Sequence, residues 1–138
     1  MRKIFAVCYT AAMFIMLAAA QETPRPATNR ELLAKGKVFF IKSDTYYVKK
    51  EEIEKGLLKN EDLDRLGVQV TENENEADFV LKVKRAAFQN NFPYTVTDRY
   101  TGRIIMAGEP NSFGGTVPGK IAADIARKLK RIYDGKDK

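Results

Sequence analysis

The strongest chemical motif in the chain is Gly114-Gly115-Thr116-Val117-Pro118-Gly119-Lys120. It satisfies the G-x-x-x-x-G-K part of a phosphate-binding loop, whose backbone N–H groups cradle phosphate while the lysine reaches it. The match fails at the next position. Ile121 stands where a Ser or Thr hydroxyl must hold Mg²⁺, and Pro118 removes one of the backbone N–H groups. The segment therefore reads as a flexible loop entering the last helix, with Pro118 in its first turn. An alternative keeps Gly114, Gly115 and Lys120 as a loop for a small ligand or anion, because a helix N-terminus attracts negative charge without any motif.

The alternating acids Glu72, Glu74, Glu76 and Asp78 are oxygen ligands of the kind Ca²⁺ takes. They lack the sharp-turn glycine and the later bidentate Glu of an EF-hand, so a solvated loop is expected and no metal site is assigned. The chain has no histidine and a single cysteine, Cys8. His-based triads, His-containing zinc or iron sites and any cysteine nucleophile beyond residue 8 are excluded. Nothing singles out a catalytic pair among 18 carboxylates. The expectation is a protein that is not an enzyme and uses no cofactor.

Aromatic residues offer binding chemistry instead. Tyr46 and Tyr47 follow the first expected strand, and the crevice beyond strand ends is where open α/β sheets bind ligands, so Asp44, Tyr46 and Tyr47 can line a contact surface. The competing reading has these tyrosines capping the core with their hydroxyls in water.

These residues need elements to hold them. Gln21 to Ala27 reads as a flexible leader, and Thr28 with Glu31 has capping-box spacing for a short helix that Gly36 ends. Val38 to Ile41 is a continuous apolar run, which predicts a strand buried on both faces and the central one of the sheet. A helix with a narrow apolar stripe follows over 48–59, weakened by Gly56. A turn of helix at 62–66 and a strand at 68–70 come next. Phe79, Leu81 and Val83 alternate with Lys82 and Lys84, giving a strand within 77–88 with one face buried. Strands at 94–98 and 104–107 complete an antiparallel meander. On a helical wheel Ile121, Ala122, Ile125, Ala126, Leu129, Ile132 and Tyr133 share one arc of about 140°. Lys120, Arg127, Lys128, Lys130 and Arg131 make its other side basic, which reads as a solvated face or as attraction to an anionic membrane or polymer. The fold class is α/β (α+β): a single domain over 37–134, built on a mixed sheet of about five strands with helices packed on it and ending in an amphipathic helix. Residues 135–138 form a charged tail.

The start of the chain carries its own signal. Arg2 and Lys3 precede an apolar run from Ile4 to Leu17 and then Ala18, Ala19 and Ala20, the order of a cleavable secretory signal over 1–20. The run is too short for a spanning helix, so no stable membrane insertion is expected after cleavage. An exported domain, periplasmic or secreted, without a disulfide follows. Loss of Arg2 and Lys3 leaves 22 basic residues against 18 acidic ones. That mild surplus suits an anionic envelope surface and falls short of the footprint of a nucleic-acid binder.

Three blocks carry a family resemblance: Ala77-Asp78-Phe79-Val80-Leu81-Lys82-Val83, then Thr97 to Met106 with its Asp98 and Thr101-Gly102 hairpin, then the closing helix from Gly119 to Tyr133. Together they resemble a broad group of bacterial envelope proteins. The group includes the curli-secretion channel subunit, the lipoprotein activators of penicillin-binding proteins and the amino-terminal domain of the Tol-system β-propeller protein. The resemblance implies binding of other envelope components rather than catalysis. Two features depart from the group: there is no lipidation cysteine, and Met106 stands where a tryptophan is frequent. The expected function is a non-catalytic exported domain that binds an envelope protein or polymer through a strand edge or through the loops beyond the first strand.

Overall fold

The computed structural model describes residues 27–86 and 90–134. The expected signal segment, most of the leader and the charged tail lie outside the described residues. Four helices, α1 (Asn29–Lys35), α2 (Lys50–Leu58), α3 (Glu61–Arg65) and α4 (Val117–Tyr133), pack with five strands. The strands are β1 (Val38–Ser43), β2 (Gln69–Thr71), β3 (Phe79–Val83), β4 (Tyr94–Asp98) and β5 (Ile104–Gly108). They form one mixed sheet in the order β2-β1-β3-β4-β5. β1 is parallel to both β2 and β3, and β3, β4 and β5 form the expected antiparallel meander.

Alternation sorts the side chains. Phe39 and Ile41 pair in register with Phe79 and Leu81, and Leu81 and Val83 pair with Val96 and Tyr94. All of these are buried, in one core with Ile53 and Leu57 of α2 and Ile121, Ile125, Leu129 and Ile132 of α4. Each such side chain contributes about 1.5–3 kcal/mol of burial. Leu33 of α1 and Leu63 of α3 join the same core. The helices thus cover one face, and the alternate residues Phe40, Val80, Lys82, Thr95 and Thr97 on the other remain half-exposed.

Two expectations about β1 are corrected. It is second in the sheet, and β3 is central. It is fully buried on the helix face alone: Val38 and Phe40 are only partly covered. The connection 72–78 must cross β1 to carry the chain from β2 to β3. It does so on the helix-free side, where a 3-10 turn at Glu74–Glu76 brings Glu74 within 2.7 Å of Lys42. β1 therefore has partial cover on that side from a turn, enough to favour an apolar run without a second helical layer.

The ends of elements follow local chemistry. Thr28 and Glu31 form the capping box of α1, and Asn60, just past the end of α2, caps the start of α3 with its side-chain oxygen. Thr116 caps α4, with Pro118 in its first turn. β3 is shorter at both ends than the 77–88 expectation. Ahead of it Asp78 turns its carboxylate to the backbone N–H groups of Lys37 and Val38, at 2.8 and 3.0 Å. Gly56 is explained by packing: a Cβ there would lie 3.0 Å from the backbone oxygen of Pro118, so its absence lets α2 approach the start of α4.

Candidate functional site

Because β1, β3 and β5 all point the same way, the segments 44–49, 84–86 with 90–93, and 109–116 share one end of the sheet. Both groups of candidate residues lie at this carboxyl end. They are not brought together: β1 and β5 are three strand steps apart, about 14 Å.

On the β1 side the loop is a closed turn. The Ser43 hydroxyl donates to the Val48 carbonyl at 2.5 Å, and the Tyr47 N–H donates to Thr45 Oγ1 at 3.2 Å. Val48 is buried in the core, so the turn anchored at both ends holds its middle in solvent. Tyr46 is 97% exposed and Tyr47 66%. They stand clear of the core and do not cap it, as one of the two readings required. Asp44 donates its N–H to the Val83 carbonyl at 2.9 Å and pairs its carboxylate with Lys82 Nζ at 2.9 Å. The Arg85 guanidinium lies 3.8 Å from the Tyr47 ring centroid, a cation–π contact between the β1 and β3 loops. Lys82 was visible in the sequence only as part of the polar face of a strand. Arg85 carried no signal there, because nothing local ties it to Tyr47.

On the β5 side Gly114 and Gly115 have φ of 66° and 86°, a left-handed pair that shapes the turn. The Lys120 ammonium faces back into this loop. It donates to the Asn111 carbonyl at 2.8 Å, to Asn111 Oδ1 at 3.0 Å and to the Phe113 carbonyl. Its donors are thus used on the loop's own carbonyls. The acidic run is dispersed too: Glu72 pairs with Lys50, Glu74 with Lys42, Glu76 with Asn73 and Asp78 with the backbone of β1.

Sequence reasoning missed a polar cluster between α4 and the sheet. The buried Tyr94 hydroxyl donates to Asp124 Oδ2 at 2.6 Å, where Lys128 also donates at 2.8 Å, and Arg127 pairs with Oδ1. Burial raises the Asp124 pKa, but the hydrogen bonds from Lys128, Tyr94 and Arg127 outweigh it and hold the carboxyl below its ordinary value. Burial, reinforced by the Asp124 carboxylate, pushes the Tyr94 hydroxyl far above its ordinary range. A Cβ on Gly108 would stand 2.4 Å from Asp124 Oδ2 and 2.5 Å from the Tyr94 ring, so this glycine makes room for the pair. An open groove of about 710 Å³ beside the cluster is lined by Gly108, Glu109, Asn111, Lys120, Asp124 and Arg127 among others.

Edge strand β5 is also guarded. Antiparallel pairing of Tyr94 with Gly108 and Val96 with Met106 directs the carbonyls that flank Met106 away from β4. Ile105 O accepts from Asn29 Nδ2 at 3.2 Å, and Ala107 O accepts from Lys128 Nζ. The opposite edge, β2, is only three residues long. Capped and shortened edges resist addition of a further strand.

No protein-family model, curated protein or solved structure matches the chain. The class defined by the fold is a two-layer α/β domain with three loops gathered at one end of its sheet. Among the described residues no helix is long and apolar enough to cross a membrane.

Proposed function

We propose that this chain is an exported, non-catalytic binding domain that engages a protein or polymer of the cell envelope through the loops at the carboxyl end of its sheet. The observation that carries this reading is the anchored turn 43–48, which holds Tyr46 at 97% exposure beside Tyr47 and Arg85. Fixing two tyrosines in water forgoes their burial, and rigid exposed aromatics with arginine are the usual anchors of contact surfaces. The capped β5 edge directs the choice to the loops rather than to strand addition. The resemblance of the 77–83, 97–106 and 119–133 blocks to envelope binding proteins supports the same reading. The alternative, a small-ligand or anion site on Gly114, Gly115 and Lys120, has less support because the Lys120 donors are engaged within the loop.

The test places a photo-crosslinking residue at position 46, and separately at position 131 on the outer side of α4, in the full chain produced in its own cells. Adducts that form from 46 and not from 131, in the envelope fraction, support the proposal. Recovery of monomer alone from both positions, or of the chain in the cytoplasm, overturns it.

A further inference from the structure

We infer that the helix-free side of β3 and the adjoining loop bind an extended anionic polysaccharide, with Lys82, Lys84 and Arg85 receiving its acidic groups and Tyr47 stacking on a sugar ring. The inference rests on the binding-domain reading above and names the partner class.

Lys82 lies on the face without helices, and alternation puts Lys84 on the same face, where it is exposed. Lys82 is also the register partner of Lys42 on β1. Like charges on neighbouring strands oppose sheet pairing. Each of the two is compensated by one carboxylate, Lys42 by Glu74 at 2.7 Å and Lys82 by Asp44 at 2.9 Å. These pairs are more than 40% exposed on both partners and are therefore weak. An incoming polyanion can exchange for Asp44 at little cost. Lys84 and Arg85 have no carboxylate partner among the described residues, so the strip carries surplus positive charge at the rim, next to Tyr47.

The shape fits a chain better than a compact ligand. From Tyr47 and Arg85 the strip passes over Lys84 and Lys82 to Thr95, the register partner of Lys82, with Thr97 beyond it on the same face of β4. The threonines are half-exposed, and their hydroxyls suit sugar hydroxyls. The lysine content argues against a protein partner, since protein interfaces are depleted in lysine. The surplus is also small against the charge density of a nucleic-acid backbone.

The test measures fluorescence anisotropy of labelled polygalacturonate with the full chain at low salt, with neutral dextran of matched length as control. Replacing Lys82, Lys84 and Arg85 together by Gln should weaken binding at least about tenfold. Replacing Lys55, Lys130 and Arg131 by Gln, which removes the same charge elsewhere, should change it less than about twofold. Tyr47→Ala should weaken it several-fold at constant charge, and dextran should not bind. Circular dichroism of each variant establishes that it is folded. Equal losses in the two triple variants, equal binding of dextran, or tighter binding of a single-stranded oligonucleotide overturns the inference. A protein adduct at position 46 without polygalacturonate binding overturns the polysaccharide partner and leaves the binding domain standing. Absence of both overturns the two together.

Discussion

Replacing Tyr94 by Phe removes one oxygen and no buried carbon, so it isolates the hydroxyl that donates to Asp124 at 2.6 Å. A hydrogen bond to a charged acceptor is worth about 1.5–3 kcal/mol. Lys128 and Arg127 still satisfy Asp124 in the variant, which places the cost near the lower end, about 2 kcal/mol at neutral pH. For a domain of this size that lowers Tm by roughly 10 °C. The cost must depend on pH. The folded pKa of Asp124 is depressed, so its charged-state stabilisation is complete above the unfolded pKa of about 3.8 and is lost as pH falls through the folded value. Once Asp124 is protonated, the Tyr94 hydroxyl faces a neutral acceptor and the penalty should shrink to about 1 kcal/mol. Urea unfolding followed by circular dichroism at pH 7 and at successively lower pH measures both values. In the Asp124→Asn background the Tyr94→Phe penalty should be small at every pH. A penalty below about 0.5 kcal/mol at pH 7, or one that stays constant into acid, would refute the assignment of Tyr94 and Asp124 as a charge-assisted lock.

Other expectations follow from the same packing. The raised pKa of Tyr94 means its stabilisation is full below the unfolded value of 10 and is lost as pH rises through the folded one; ultraviolet titration should show its phenolate appearing only with unfolding. Gly56→Ala, which gains helix propensity, should nevertheless destabilise by about 1 kcal/mol in thermal melts, because the new methyl would crowd the Pro118 main chain at 3.0 Å, which yields less readily than the tip of a side chain. Asp78→Ala strands two N–H groups at the head of β1 and should cost about 2 kcal/mol in urea unfolding, whereas Asp78→Asn should recover part of it. Asn29→Ala combined with Lys128→Ala uncovers the outer carbonyls of β5, and light scattering should show self-association that the single variants show more weakly.

Strand and helix identity was legible wherever local pattern and burial agree. The capping box at Thr28, the meander over 79–108 and the apolar arc of α4 were all readable from spacing. Position in the sheet was not: an apolar run reports cover, and β1 is partly covered on its second side by a turn 32 residues away in sequence that no periodicity announces. Gly56 and Gly108 were opaque for the same reason, since each answers to a neighbour from another element. At the candidate site, the rule about strand ends nominated Asp44, Tyr46 and Tyr47, and the structure places them just beyond β1. Their exposure was open between two readings because it is set by Ser43 and Val48. Lys120 illustrates the converse. Its spacing from Gly114 suggested phosphate, while its donors are directed at carbonyls within the same loop.

The two side chains that guard β5 come from opposite ends of the described chain, Asn29 before the first strand and Lys128 within the last helix. During synthesis or refolding, the local meander can pair long before α4 has docked. Until then β5 presents bare carbonyls and is adhesive. The seal closes only when the chain has been made through residue 128 and both terminal helices have come home. An intermediate halted short of that point is the species a chaperone must hold, and slowing the docking of α4 should lower the yield of soluble protein more than the equilibrium loss of stability accounts for.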